Sequence, residues 1–121
     1  MTIRVMIVDD VPETCANISK LLSFDEEIEV VGIANNGKEA IDLMEKARPD
    51  VLLMDINMPV MDGITLITEI RKIDQDVPIL ALTSESDVEM RNRGVEAGAN
   101  GWIVKPFHGA QFLDIVRQIL S

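Results

Sequence analysis

Asp9, Asp10, Asp55 and Lys105 each close a short apolar run, and side chains of these types could hold a divalent cation beside a phosphoryl group. The runs are Val5–Val8 before the acidic pair, Val51–Met54 before Asp55 and Trp102–Val104 before Lys105. Short β-branched runs of this kind read as buried strands, and open α/β sheets receive their ligands at the carboxyl ends of such strands. Three carboxylates brought to one edge repel one another and push their pKa values apart or up. Mg²⁺ removes that cost: it takes oxygen ligands, keeps several waters, and uses one or two carboxylates plus a phosphate oxygen. Asp10 and Asp55 are expected as direct ligands and Asp9 as a ligand through water. The Asn57 carbonyl supplies a further oxygen if the turn after Asp55 folds back over the strand end. Asp55 could then attack phosphorus and form an acyl phosphate, with Lys105 balancing charge from the other side. Thr83, at the end of the run from Pro78 to Leu82, could offer its hydroxyl to a phosphoryl oxygen, and the small Ser84 leaves room. This is phosphoryl transfer by positioning and electrostatics.

The elements that must position these groups alternate between two hydrophobic periods. Strands are expected at Ile3–Val8, Ile28–Ile33, Val51–Met54, Val77–Leu82 and Trp102–Val104. A helical pattern follows each. The first carries Cys15, Ile18 and Leu22, with Pro12 in its first turn, where a missing N–H costs nothing. The second carries Ala40, Leu43, Met44 and Ala47, starts after Asn36-Gly37 and stops before Pro49. The third carries Leu66, Ile70 and Ile73. The fourth is expected to start at Ser86, with Glu89 completing a capping box. The fifth carries Phe112, Leu113, Val116, Ile119 and Leu120. Five βα units need right-handed crossovers, which predicts an α/β fold: one doubly wound, five-stranded parallel sheet with helices on both faces. The expected order is 2-1-3-4-5, flavodoxin-like, with the switch point between the first and third strands, where the acidic pair and Asp55 stand. The fourth helix is the weakest, because Gly94 interrupts it and most of its interior is polar, so it is expected to be among the more mobile elements.

The composition bounds the function. The 121 residues make one domain, 1–121, with 47% hydrophobic and 26% charged residues and a net charge of -10. That balance excludes a sequence-independent grip on nucleic acid or anionic lipid, which needs clustered Lys and Arg. No apolar run reaches the length of a membrane span, and acidic residues arrive too early for a signal peptide, so the cytoplasm is expected. Cys15, the single cysteine, lies at helical spacing with Ile18 and Leu22 and reads as a packed core thiol.

Taken together, the motifs resemble the receiver domain of bacterial two-component response regulators, and the resemblance runs from Ile3 to Leu120. Asp9 and Asp10 match that family's acidic pair, Asp55 its phosphoacceptor, Thr83 its switch hydroxyl and Lys105 its lysine, followed by Pro106 after a bond that is cis in the family. The stretch from Gly98 to Phe107 is especially similar, and Asp62-Gly63 fits the pattern after the phosphoacceptor. The resemblance implies a non-enzymatic phosphoacceptor that takes a phosphoryl group from a sensor histidine kinase with Mg²⁺. It also implies a switch at Thr83 and the aromatic position that reshapes the face of the fourth helix, fifth strand and fifth helix. The recipient of that change would be a downstream partner or a fused output domain. Trp102 occupies the aromatic position, where the family usually has Tyr or Phe. It either turns inward or stays outside as a docking surface. His108, where a better helix cap is usual, reads as an exposed loop histidine.

Asn57 and Glu85 flank the path of an attacking water and are expected to give a moderately short-lived acyl phosphate. Asn100-Gly101 lack the acidic residues of one dimerising subgroup, so a homodimer would use another face. The reading leans toward a receiver cut from a longer regulator. Three other readings compete: an unphosphorylated scaffold, an aspartyl-nucleophile phosphatase and an FMN carrier. The second lacks a general acid two residues after Asp55, and the third would need a phosphate loop without the charge of Asp9-Asp10.

Overall fold

A computed structural model describes residues 2–56, 62–83 and 88–120. In chain order the elements are β1 (Ile3–Val8), α1 (Pro12–Ser23), β2 (Ile28–Ala34), α2 (Gly37–Ala47), β3 (Val51–Asp55), α3 (Gly63–Ile73), β4 (Ile79–Thr83), α4 (Val88–Ala97), β5 (Gly101–Val104) and α5 (Gly109–Leu120). The strands form one parallel sheet in the order β2-β1-β3-β4-β5, as expected.

Strand periodicity divides the core in two. Met6, Val8, Leu52, Met54, Ile79 and Ala81 point to the side covered by α2, α3 and α4. Val5, Ile7, Val51, Leu53, Leu80, Leu82 and Ile103 point to the side covered by α1 and α5. Successive strand residues face opposite sides, so the three interior strands are apolar on both. The pairing of Val8 with Met54 then delivers Asp9 and Asp55 to neighbouring positions at the carboxyl edge.

Local chemistry sets most boundaries. Pro12 occupies the first turn of α1. The Asn36 side chain accepts from the Glu39 amide and starts α2, which ends at Arg48 in the left-handed region (φ 45°). Asp62 caps α3: its carboxylate accepts from the amides of Ile64 and Thr65 and from the Thr65 hydroxyl, and these bonds hold its pKa below the ordinary value. The strand expected from Val77 begins at Ile79 instead, because Asp74 accepts from the amides of Asp76 and Val77 and folds those residues into a turn. That strand runs on to Thr83, which pairs with Val104. In α3 the buried stripe is Leu66, Ile67 and Ile70, while Ile73, expected in the core, is 49% exposed. In α5, Leu120 is likewise exposed at the end of an otherwise well buried face. Ser86, the expected cap of α4, lies outside the described residues.

The helix expected to be least anchored has Gly94 as its one buried residue, with Val88 and Val95 exposed. Gly94 and Gly63 carry opposite constraints. A methyl at Gly94 would meet Ile56 and Ile64 at ordinary contact distances of 3.6 and 3.7 Å. A methyl at Gly63 would come within 2.8 Å of the Ile56 Cα and 3.1 Å of the Asp55 carbonyl oxygen, both backbone. Gly63 therefore lets α3 start hard against the end of β3. Gly94→Ala should raise stability by about 0.5–1 kcal/mol, the helix-propensity gain. Gly63→Ala should lower it by about 1–3 kcal/mol through overpacking. Urea unfolding checks both, and a Gly63→Ala variant as stable as the wild type would refute the close-approach argument.

Candidate functional site

The carboxyl edge of the sheet assembles the expected side chains. Asp9 (2% exposed), Asp55 (6%) and Thr83 (0%) are the buried polar and charged residues of the described core. Lys105 follows β5 and reaches past β4 to Asp55, with Nζ 2.5 Å from Oδ2. Its own backbone is pinned to the same edge, because the Lys105 amide donates to the Thr83 carbonyl at 2.9 Å. The Lys105–Pro106 peptide is cis, as the resemblance implied. Asp10 stands next to Asp9, half-buried.

Asp9 is the strained member. Its Oδ1 accepts from the Val11 amide at 2.9 Å. Its Oδ2 is fully buried with no hydrogen-bond donor among the described residues. Burial raises the Asp9 pKa above 3.8, the neighbouring Asp55 charge raises it further, and the Val11 amide and Lys105 oppose the shift. A buried carboxylate oxygen facing a second carboxylate is a poor resting arrangement and a good place for a cation.

The expected ligand set was Asp9, Asp10, Asp55 and Asn57. Asn57 lies outside the described residues, as do Ser84 and Glu85. Among the described residues no three Asp, Glu, His or Cys side chains are arranged to close around one ion. The Lys105 ammonium sits on Asp55 in their place. The donor chemistry still fits Mg²⁺, which needs only one or two carboxylates when water and a phosphoryl oxygen complete the shell. Asp9 and Asp55 are the two buried carboxylates that stand side by side at this edge.

Trp102 is outward, 42% exposed, with the Arg91 guanidinium of α4 stacked 4.7 Å from its ring centroid. His108 is exposed, and its backbone carbonyl accepts from the Phe112 amide at the start of α5. Cys15 is a buried core thiol, its pKa pushed up to about 11 by burial and by the Asp9 charge. Two supporting contacts were not foreseen. Asn35 donates its side-chain amide to the Asp9 carbonyl at 2.8 Å, and the Cys15 thiol approaches the same oxygen at 3.4 Å. The signal in the sequence is the polar pair Asn35-Asn36 just after β2, of which spacing shows a role only for Asn36, as a helix start. Arg91 gave no signal, since one cation on a polar helix does not announce an aromatic partner on a strand.

The raised pKa of Asp9 has a sign. A carboxyl that holds its proton more tightly when folded stabilises the fold below its unfolded pKa, and that contribution is lost as pH rises through the folded value. At neutral pH the charged Asp9 is therefore a burden in the absence of a cation. Asp9→Asn should raise the metal-free melting temperature at pH 7 by roughly 3–6 °C, for about 1 kcal/mol in a chain of this length. The gain should shrink as pH falls toward 4 and below. Thermal unfolding across that range checks it, and a gain that stays constant with pH would contradict the electrostatic account.

Known proteins are similar to this chain over most of its length. PrrA of Mycobacterium tuberculosis, a transcriptional regulatory protein, is 38% identical over 120 residues, and the chain spans 49% of its length. The chemotaxis protein CheY of Halobacterium salinarum is 36% identical over 121 residues, covering all of this chain and 99% of that protein. A crystal structure of a putative response regulator from Chloroflexus aurantiacus superposes with a TM-score of 0.85 at 34% identity, covering 99% of this chain and 98% of that one. The family model for the response regulator receiver domain matches residues 5–117, and this chain belongs to that family.

Proposed function

We propose that Asp55 accepts a phosphoryl group from the phosphohistidine of a sensor kinase, with Mg²⁺ held by Asp9, Asp10, Asp55 and the Asn57 carbonyl. The observation that carries this reading is the 2.5 Å contact between Lys105 Nζ and Asp55 Oδ2 at a buried sheet edge. It puts a carboxylate nucleophile and a positive charge where a phosphoryl group could bridge them. In the transfer, an Asp55 oxygen forms the new P–O bond, the P–N bond breaks, and the imidazole leaves with the electron pair and takes a proton from solvent. Mg²⁺, when bound, offsets the charge on the transferring oxygens. Lys105 follows that charge from the Asp55 oxygen to a phosphoryl oxygen, and Thr83 donates its hydroxyl from the end of β4.

In this reading the domain acts in the cytoplasm as a signalling module and passes its state, through α4, β5 and α5, to a partner protein or output domain. Trp102 belongs to that surface, and its contact with Arg91 makes it a built-in reporter. Addition of Mg²⁺ and beryllofluoride should change Trp102 fluorescence saturably in the wild type and leave Asp55→Asn unchanged. Intact mass after incubation with a small acyl phosphate should show one added phosphoryl group, absent in Asp55→Asn. An unmodified wild-type mass together with an unresponsive fluorescence would sink the proposal.

A further inference from the structure

We infer that Asn35 is a positioning residue for the cation site: its side-chain amide fixes the Asp9 backbone so that the Asp9 carboxylate stays turned toward Asp55. The inference rests on the phosphoacceptor reading above, since the cation is Mg²⁺.

The geometry poses a question that repulsion sharpens. Two buried carboxylates at one edge lower their energy by turning apart, yet Asp9 does not. Four contacts oppose the turn. The Asp9 amide donates to the Ala34 carbonyl at 3.0 Å and continues the strand pairing. The Val11 amide donates to Asp9 Oδ1 at 2.9 Å and sets the side-chain rotation. The remaining two converge on the Asp9 carbonyl oxygen: Asn35 Nδ2 at 2.8 Å and Cys15 Sγ at 3.4 Å. Thiols are weak donors, so the amide dominates that pair. The orientation of the amide follows from its partner, because only the NH₂ side can face a carbonyl oxygen.

Asn35 is itself held. Its backbone amide donates to the Glu39 carboxylate in the first turn of α2 at 3.0 Å, and its Nδ2 also lies 3.4 Å from the Cys15 sulfur. The end of β2 therefore braces the end of β1 through one side chain that points at no ligand. Groups that orient a ligating residue in this way commonly change metal affinity by about 10–100-fold when removed. The brace also separates two quantities that usually move together. Losing the hydrogen bond weakens the fold, but freeing Asp9 relieves repulsion, so the metal-free protein should lose little while cation binding loses much.

The test measures Mg²⁺ affinity by calorimetry and the metal-free melting temperature by circular dichroism, on wild type, Asn35→Ala and the near-isosteric Asn35→Leu. Cys15→Ser, which keeps a donor, is the control. Asn35→Ala and Asn35→Leu should bind Mg²⁺ about tenfold more weakly at nearly unchanged metal-free stability, and Cys15→Ser should bind as the wild type does. Should Asn35→Ala fail to fold, Asn35→Leu carries the test. Wild-type affinity in the Asn35 variants overturns the inference, and so does a loss of melting temperature equal with and without saturating Mg²⁺, which marks a purely structural brace. A wild-type protein that binds no Mg²⁺ overturns the phosphoacceptor reading itself, and this inference with it.

Discussion

Two carboxylates that the sheet will not let apart set the terms for the rest of this domain. Asp9 and Asp55 follow Val8 and Met54, which pair directly across β1 and β3. The strands behind them are buried on both faces, so neither can slip in register without turning an apolar set out of its core. The repulsion is thus enforced by hydrophobic burial, which is far larger in sum than one unfavourable charge pair. Lys105 relieves part of it, and does so asymmetrically. The Asp55 side chain is 7% exposed and the lysine 39%, so the ammonium reaches in from the rim. A partly hydrated counter-charge of that kind can leave one oxygen for another at modest cost.

Much of this was legible because the relevant signals are local or periodic. Apolar runs and helical spacing gave ten elements, and the need for right-handed crossovers gave the strand order. Residues whose role follows from their own backbone needs were also readable. Pro12 starts a helix because its missing N–H is harmless there, and Asn36 caps α2 because a short amide reaches back to the Glu39 amide. Acidic and basic residues at strand ends located the edge once the strands were placed.

What escaped the sequence depends on partners distant along the chain. Ile73 fits the helical stripe by spacing, yet at the last turn of α3 it lies half-exposed outside the buried stripe. Val77 looked like strand until the Asp74 carboxylate claimed its amide. Asn35 and Asp9 are separated by 26 positions, and no period or motif joins them; only the pairing of β1 with β2 does. The sequence placed Asp9 behind Asp10 and Asp55, as a ligand through water. Burial singles out Asp9, whose Oδ2 is enclosed beside Asp55, and burial is a property of the fold rather than of the residue.

Position alone does not make a surface responsive; a state change spreads only where two arrangements have similar free energy. The edge and α4 differ in this respect. Thr83 is fully buried and paired with Val104, and its carbonyl holds the Lys105 amide, so a shift at Thr83 reaches β5 through the backbone itself. Two residues back along β5 is Trp102, and on its ring lies Arg91 of α4. Thr83 and Ile103 along this path are buried in the core, whereas α4 buries just one glycine of its own. A cation–π contact at an exposed site is worth only about 0.5–1 kcal/mol. That is small against the several kcal/mol needed to move a two-state equilibrium from one side to the other. On the proposed reading, the stiff edge would collect the charge of a phosphoryl group at Asp55, and α4, with one buried residue, is the element that charge would move.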